Sequence, residues 1–264
     1  MKTQRLLAPF RRAINQFDMI SVGDKIAVGV SGGKDSLALL TLFKAFQRFS
    51  DKKFDLLAIT VDMGFCDDQF KPIKQYCANI GVEYVIEKTN IAEIVFDVRK
   101  ETSPCSLCSK MRRGALNTTL IKHGCNKLAL GHHRDDVVET FLLSLFYEGR
   151  LSTFAPKSYM SRTKVSLIRP MVFIAERDIA AYTREMPVVT NPCPADKVTQ
   201  RAKMKDLLVY LKQTNPDISE RFANAIMHPD RYNLWDKALE KFDEEVALSQ
   251  SPTDGNCKPN TLQN

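Results

Sequence analysis

The chain has 264 residues, of which 44% are hydrophobic and 26% charged, a composition typical of a globular protein with one large or two small domains. Its 38 Lys and Arg against 31 Asp and Glu give a net charge of +7, which favours polyanionic partners such as nucleic acids. No stretch approaches the roughly 18 apolar residues of a membrane span, and the basic N-terminus lacks the apolar run of a secretory signal. We therefore expect a cytoplasmic protein with no membrane partner.

Strands and helices are predicted to alternate along the first 150 residues. Short apolar, β-branched runs predict strands at 25–30, 54–63, 82–89 and 126–133. Longer apolar or amphipathic stretches predict helices at 37–49, 66–81, 91–100, 106–123 and 135–149. This alternation indicates an α/β fold with a doubly wound parallel sheet, whose ligands bind outside the carboxyl ends of the strands. The segments SGGKDS and GHHRDD fall at that edge, and Asp62 ends a strand there.

After residue 150 the sequence becomes polar, basic and loop-like. One short strand is predicted there, at 165–169, and the helices that follow are predicted at 175–185, 197–213 and 216–228. We expect four parts in the whole chain, with a helical C-terminal extension. They are an N-terminal helix or arm (1–22), an α/β domain (23–215), C-terminal helices (216–248) and a disordered tail (249–264).

The segment VGVSGGKDS combines the end of a strand, a glycine-rich turn and the start of a helix. The turn carries two glycines, a lysine and two serines: Ser31, Gly32, Gly33, Lys34 and Ser36. Glycines let backbone N–H groups approach an anion, and the helix adds the positive end of its dipole, so the turn can hold phosphate oxygens. It is not the usual nucleotide P-loop, because Val28 replaces the first glycine of that pattern and Asp35 follows the lysine. The alternative is a tight structural turn, which needs only one glycine.

A second polar segment, GHHRDD, spans Gly131 to Asp136. Asp135 and Asp136 stand at a predicted helix start, where carboxylates either hold magnesium or cap the helix. His132 and the histidine after it could be ligands, bases or phosphate contacts, or simply a partly buried pair. The residues alone leave these alternatives open.

Three cysteines stand in chemically suggestive contexts. Cys105 and Cys108 form a CxxC pair, and Cys193 lies in the Pro-rich segment TNPCPAD. Three thiolates could bind zinc with a His or Asp, or three irons of a [4Fe–4S] cluster; a disulfide and a transient persulfide are further alternatives. The other cysteines lie in or beside predicted elements or in the tail: Cys66, Cys77, Cys125 and Cys257.

Basic residues flank the CxxC pair and line a later predicted helix: Lys110, Arg112 and Arg113, then Lys197, Arg201 and Lys205. The last three recur at four-residue spacing and therefore share one helix face. Such a stripe suits an RNA backbone, although a solvated helix face is the simpler alternative. Recognition of a base would also need stacking partners, for which the aromatic candidates are Phe65, Tyr147, Phe154 and Tyr159.

Taken together, these motifs resemble a known family. SGGKDS after a first strand resembles the PP-loop of the ATP pyrophosphatase superfamily, whose members cleave ATP between its α and β phosphates. CSLCSKMRRG, LGHHRDD, Arg169–Pro170 and Pro192–Cys193 follow in the order found in the tRNA 2-thiocytidine biosynthesis family. The resemblance covers residues 20–215. It implies an adenine nucleotide alpha hydrolase-like fold and an ATP-dependent tRNA sulfurtransferase that converts cytidine 32 to 2-thiocytidine after adenylating its C2 oxygen.

The same resemblance implies the roles of individual residues. Cys105, Cys108 and Cys193 would hold a [4Fe–4S] cluster and act in catalysis with Lys34, Asp35 and Asp135. Asp35 and Asp135 would lie near magnesium. The ATP-binding set would be Ser31, Gly32, Gly33, Lys34, Asp35, Ser36, Asp62, Gly131 and His132. The basic residues named above would bind tRNA.

Two features remain open at the level of sequence. The family often has a second late cysteine where this chain has Asp196, and we expect three ligands to suffice. Sulfur must come from outside, and a cysteine desulfurase is the hypothesised donor. The oligomeric state stays open, with a homodimer as the candidate. The competing interpretations are a PP-loop tRNA base ligase of the lysidine synthetase type, which needs no thiol set, and a non-enzymatic metal-binding RNA-binding protein, which needs no ATP loop.

Overall fold

The computed structural model describes residues 3–66, 68–99, 104–189, 193, 200–232 and 234. Its strands form one sheet in the order β3-β2-β1-β4-β6-β5. The strands are β1 (Asp24–Gly29), β2 (Phe54–Asp62), β3 (Glu83–Lys88), β4 (Lys127–Ala129), β5 (Lys157–Met160) and β6 (Val165–Ile168). Neighbouring strands pair in parallel, except for β5, which is antiparallel to β6. The predicted α/β fold with a mainly parallel sheet is confirmed.

The described helices follow the predicted order. They are α1 (Thr3–Gln16), α2 (Lys34–Phe46), α3 (Lys71–Asn79), α4 (Pro104–Lys122), α5 (Arg134–Leu143), α6 (Glu176–Tyr182), α7 (Gln200–Thr214) and α8 (Ile218–Met227). Glu93–Val98 and Ser144–Glu148 are π-helical, and Pro229–Arg231 is a short 3₁₀ turn. None of the described helices is both long and apolar enough to cross a membrane.

Strand β5 lies in a segment for which the sequence predicted a loop, so that expectation was wrong at 157–160. The strand has four residues and none of them is fully buried, so it shows no clear apolar alternation. It pairs with β6 in an antiparallel register that places Lys157 opposite Ile168 and Met160 opposite Val165. A tertiary pairing, rather than local propensity, therefore makes this edge strand.

The core forms around β1 and α2. Ile26, Ala27 and Val28 in β1 have no solvent exposure, because the strand lies between β2 and β4 in the middle of the sheet. Helix α2 is apolar on nearly all sides, as expected for a helix that is covered on both faces. It packs against the sheet and against α1, whose residue Phe10 meets the ring of Phe43 edge-on at 5.1 Å between centroids.

The chain divides into two compact units, residues 1–223 and 224–264. In the second unit the Tyr232 hydroxyl donates a hydrogen bond to the Ala225 carbonyl at 2.8 Å. The expected domain boundaries stay predictions, and the expected tail at 249–264 lies outside the described residues.

Replacing Phe10 by alanine should lower the free energy of unfolding by about 3–5 kcal/mol, because it empties a fully buried site between α1 and α2. Urea denaturation followed by circular dichroism measures this change. Phe49→Ala is the matched control, since Phe49 is 75% exposed and its loss should change stability by less than about 0.5 kcal/mol. Equal losses in the free energy of unfolding for the two variants would contradict the packing of α1 against α2.

Candidate active site at the carboxyl edge of the sheet

The glycine-rich turn connects β1 to α2 at the point where the order of the sheet reverses. Gly32 has a φ of +89°, a conformation that favours glycine. A Cβ atom there would also lie 3.1 Å from Ile73 and 3.2 Å from Val189. The Val189 N–H donates a hydrogen bond to the Gly32 carbonyl at 3.0 Å. The turn is therefore enclosed by α3 on one side and by the chain approaching Cys193 on the other.

Two serine hydroxyls hold the turn closed. Ser36 Oγ donates to the Gly33 carbonyl at 2.8 Å and accepts the Ser31 N–H at 3.2 Å. Ser31 Oγ accepts the Gly33 N–H at 3.4 Å. Gly33 is the N-cap of α2 and gives it no side-chain cap, so first-turn N–H groups of the helix are left to bind an anion.

The charge on Lys34 is balanced by two carboxylates. Its ammonium lies 3.0 Å from both oxygens of Asp35 and 3.1 Å from Oε1 of Glu176. Burial lowers the pKa of Lys34, but the two carboxylates outweigh burial and leave that pKa above its usual value. The lysine is therefore a fixed positive charge at the start of α2.

The GHHRDD segment packs directly on the first turn of α2. A Cβ atom on Gly131 would lie 3.0 Å from the carbonyl oxygen of Asp35, so only a glycine allows this approach. His133 caps α5, because its Nδ1 accepts the Asp136 N–H at 3.3 Å while the Asp136 carboxylate accepts the His133 N–H at 2.9 Å. Nε2 of His133 then carries the proton and lies 3.8 Å from Asp35 Oδ1.

The two aspartates of the segment have different partners. Asp136 caps α5 and also lies 3.2 Å from Arg201, so the capping alternative holds for this residue. Asp135 is buried; it accepts the backbone N–H of Glu176 at 2.8 Å and lies 3.5 Å from Lys212. Among the described residues, no three His, Cys, Asp or Glu side chains are gathered closely enough to hold one metal ion. The magnesium role of Asp35 and Asp135 stays a prediction.

His132 belongs to a second cluster beside the turn. Its Nδ1 accepts a hydrogen bond from Arg169 Nε at 3.3 Å, and its ring lies 5.0 Å from that of Phe154. Arg169 also lies over the Phe154 ring at 4.8 Å. Burial lowers the pKa of His132 to about 4; Asp136 opposes this shift, and Arg169 and Arg201 add to it. The imidazole is thus neutral near pH 7. Because Nδ1 accepts the bond from Arg169, Nε2 carries the proton and can act as a donor.

A cavity of about 540 Å³ connects these groups. It is lined by Ser31 and Gly33 of the turn, by the ends of β1, β2 and β4, by His132 and by residues of α4. The lining of the cavity is largely apolar away from the turn, and its size falls within the range of small-molecule sites. Asp62, at the end of β2, is turned toward its own loop, where its carboxylate accepts the Gly64 N–H at 3.0 Å.

The CxxC pair lies at the start of α4, the helix whose residues Arg112 and Arg113 line this cavity. Cys105 is exposed, whereas Cys108 and Cys193 are partly buried. The Cys108 thiol lies 3.5 Å from the sulfur of Met63, a residue that lines the cavity. Burial raises the pKa of Cys108, Arg112 opposes the rise, and Cys193 and Cys105 add to it. Cys105 and Cys193 therefore each lie within electrostatic reach of Cys108, and no disulfide links the three.

The predicted basic residues divide into two groups. Arg112 and Arg113 on α4 line the cavity, and Lys110 on the same helix is exposed. On α7, Arg201 binds the side chains of Asp136 and Thr140, and Lys205 binds Glu176. Both α7 side chains thus fasten the helix to α5 and α6. Their RNA-binding role stays a prediction, and Lys197 lies outside the described residues.

Comparison with known proteins gives the family. A model described as a PP-loop domain matches residues 6–222. The chain belongs to the PP-loop family.

Within that family, PP-loop proteins of bacteria named tRNA-cytidine(32) 2-sulfurtransferase are similar to it. The protein of Geobacter metallireducens is 39% identical over 237 residues, covering 87% of this chain and 91% of the relative. That of Ralstonia pickettii is 39% identical over 228 residues, covering 83% of this chain and 71% of the relative. The predicted family resemblance is confirmed, and with it an enzyme family of tRNA sulfurtransferases.

A solved structure supports the PP-loop fold. It is the U34-tRNA thiolase NcsA from Methanococcus maripaludis with its [4Fe-4S] cluster, which superposes with a TM-score of 0.69. The match covers 87% of this chain and 79% of the other, at 24% identity.

Glu176 and Met63 contact the site, but the sequence did not single them out. Glu176 opens α6 in the unremarkable string AERDIA, and its partner Lys34 lies far away in the chain. Met63 directly follows β2, where only the position at the carboxyl end of a strand hinted at a role.

Replacing Gly131 by alanine should destabilise this PP-loop protein by about 1–3 kcal/mol, because the new methyl group would push the segment away from the Asp35 carbonyl. Gly114→Ala is the control, since Gly114 lies in α4 with nothing near its position and alanine there should stabilise by about 0.5–1 kcal/mol. Thermal and urea unfolding measure both. A Gly131→Ala variant as stable as wild type would show that this contact is not tight.

His132 should make stability fall as the pH is lowered from about 6.5 to about 4. In this window the unfolded chain binds a proton at His132 and the folded protein does not, so acid favours unfolding. His132→Gln removes the titrating group and should flatten this part of the profile by on the order of 2 kcal/mol. Urea midpoints across the window provide the measurement, and an unchanged profile in the variant would refute the buried neutral imidazole.

Proposed function

We propose that this chain is an ATP-dependent tRNA thiolase that converts cytidine 32 to 2-thiocytidine. The target follows the name shared by the bacterial relatives. The observation that carries the proposal is the common cavity of the turn and the thiol-bearing helix. The main-chain bond from Val189 to Gly32 supports it further, since it fastens the chain leading to Cys193 against the same turn.

ATP would bind with its phosphates at the turn and its adenosine in the cavity. The uncapped N-terminus of α2 and the ammonium of Lys34 offer positive charge to pyrophosphate. The apolar lining from the ends of the strands suits a purine ring. Asp35 lies in the first turn of α2, and Asp135 accepts the backbone N–H of Glu176; these two carboxylates are our proposed magnesium residues.

Cys105, Cys108 and Cys193 would hold a [4Fe–4S] cluster. Cys105 and Cys193 both lie close enough to Cys108 to raise the pKa of its thiol, which supports this donor set. The three ligands of such a cluster bind three separate irons, so they need not meet in the coordination sphere of one ion. When bound, a cluster with three protein ligands leaves one iron open to an external sulfur.

The proposed reaction has two displacement steps. First, the C2 oxygen of cytidine attacks the α-phosphorus of ATP, and pyrophosphate leaves into the turn. The adenylated oxygen is then a good leaving group. Sulfur delivered as a hydrosulfide equivalent forms the C–S bond, the C–O bond breaks, and AMP departs with the former C2 oxygen and a proton is released. We propose a cysteine desulfurase as the external sulfur source; its persulfide releases hydrosulfide when a second thiol attacks it and a disulfide forms.

Residues of the chain would orient the base and balance charge during these steps. The Nε2–H of neutral His132 is a donor at the cavity wall, and Phe154 with Arg169 offers a stacking surface beside it. Arg112 and Arg113 would meet the RNA backbone at the mouth of the cavity, with Lys110 on the exposed side of α4.

The test is thiolation with purified components. Protein prepared without oxygen is incubated with unmodified tRNA, ATP, magnesium and sulfide, and the nucleosides are analysed by mass spectrometry. We expect 2-thiocytidine, AMP and pyrophosphate from the wild type. Lys34→Ala should lower the rate by about 100-fold or more, since it removes a preorganised charge from the leaving group. Cys193→Ala should lose both the product and the visible absorption of the cluster.

Cys66→Ala is the matched control, because Cys66 is an exposed cysteine that is not in the proposed ligand set; it should keep both product and absorption. A wild-type protein that contains no iron would overturn the cluster. A wild type that forms no AMP with any tRNA would overturn the enzymatic proposal as a whole.

A further inference from the structure

Glu176 stands where three elements meet beside the phosphate-binding turn. It is the first residue of α6, and its Oε1 lies 3.1 Å from Lys34 at the start of α2. Its carboxylate oxygens also lie 3.0 and 2.9 Å from Lys205 on α7. Its backbone N–H donates to Asp135 at 2.8 Å. The side chain is thus tied to α2 and α7, while the main chain is tied to α5.

Glu176 is the carboxylate that reaches Lys34 from another helix. The ammonium groups of Lys34 and Lys205 lie 3.1 and 2.9 Å from its carboxylate oxygens, so the carboxylate is held between two positive charges. Lys34 has a second carboxylate partner in Asp35, whose two oxygens each lie 3.0 Å away. Asp35 follows Lys34 directly in α2 and moves with it, whereas Glu176 ties the lysine to α6.

We propose that Glu176 is a positioning residue for Lys34, which it holds where the ammonium can bind the pyrophosphate part of ATP. The inference rests on the proposed function, because it presumes that the turn binds pyrophosphate. An ammonium has three N–H donors, so Lys34 can keep its bond to Glu176 and give a phosphate oxygen a donor that otherwise goes to Asp35. Without the Glu176 charge, the flexible lysine spends less time at the turn.

The second partner of Glu176 extends this effect beyond the turn. Lys205 lies on α7, the helix that follows Cys193 in the chain, and Arg201 anchors the same helix to Asp136. The Glu176 carboxylate therefore links Lys34 of the turn to α7, the helix that follows Cys193 in the chain. The side chain has 25% exposure, so water competes only partly for these bonds.

The test compares two ligands on one variant. Glu176→Gln keeps the size and an acceptor oxygen but removes the charge. Isothermal titration calorimetry should show that its dissociation constant for inorganic pyrophosphate rises about tenfold, the loss expected for one charge-assisted bond. Its dissociation constant for AMP, which lacks the β and γ phosphates, should change by less than about twofold.

Glu220→Gln is the matched control, because Glu220 pairs with Arg134 of α5 at 2.9 Å, whereas Glu176 pairs with Lys34. It should bind both ligands as the wild type does. In a Lys34→Met background, Glu176→Gln should weaken pyrophosphate binding no further, since the group it positions is gone. Additive losses in the double variant, or an equal loss for AMP, would show a general structural role and overturn the inference.

Two further outcomes are separable. If the wild type binds neither ATP nor pyrophosphate, the proposed function itself fails. If the wild type binds both and Glu176→Gln binds pyrophosphate equally well, only the role of Glu176 fails. Should Glu176→Gln not fold, Glu176→Asp keeps the charge but withdraws it by one methylene, and it should give the same selective loss for pyrophosphate.

Discussion

The site depends on a close backbone contact between Gly131 and Asp35 that leaves no space for a side chain. Gly131 lies so close to the Asp35 carbonyl that a methyl group would come within 3.0 Å of it. This contact joins the segment after β4 to the first turn of α2, at the place where the strand order reverses from β1 to β4. His133, Asp35 and the turn are neighbours because these two backbones touch. The doubly wound fold provides a crevice at this edge of the sheet. Because Gly131 has no side chain, the two backbones that border the crevice can touch.

Around this contact the charges are arranged in compensating pairs rather than as a simple basic surface. Lys34 meets Asp35 and Glu176, Lys205 meets Glu176, and Lys212 meets Asp135. Partly buried charges are tolerated when they are paired in this way. Arg112 and Arg113, by contrast, line the cavity from the α4 side.

The sequence predicted the parts of this molecule that local patterns encode. The β-branched run at 25–30, the glycine turn and the strand–helix alternation determine the sheet, and the order of the motifs identified the family. Pairings between distant residues were not predictable: β5 exists because Lys157 lies opposite Ile168, and Glu176 matters because it reaches Lys34. Arg201 shows the same limit, since helical spacing gave its face but not the carboxylate of Asp136 that it meets.

The hydrogen bond from Val189 to the Gly32 carbonyl ties the glycine-rich turn to a residue four positions before Cys193. Any movement of the turn must be followed by Val189 or must break the bond. Under the proposed function, occupancy of the turn and the position of Cys193 would therefore be thermodynamically linked, and linkage acts equally in both directions.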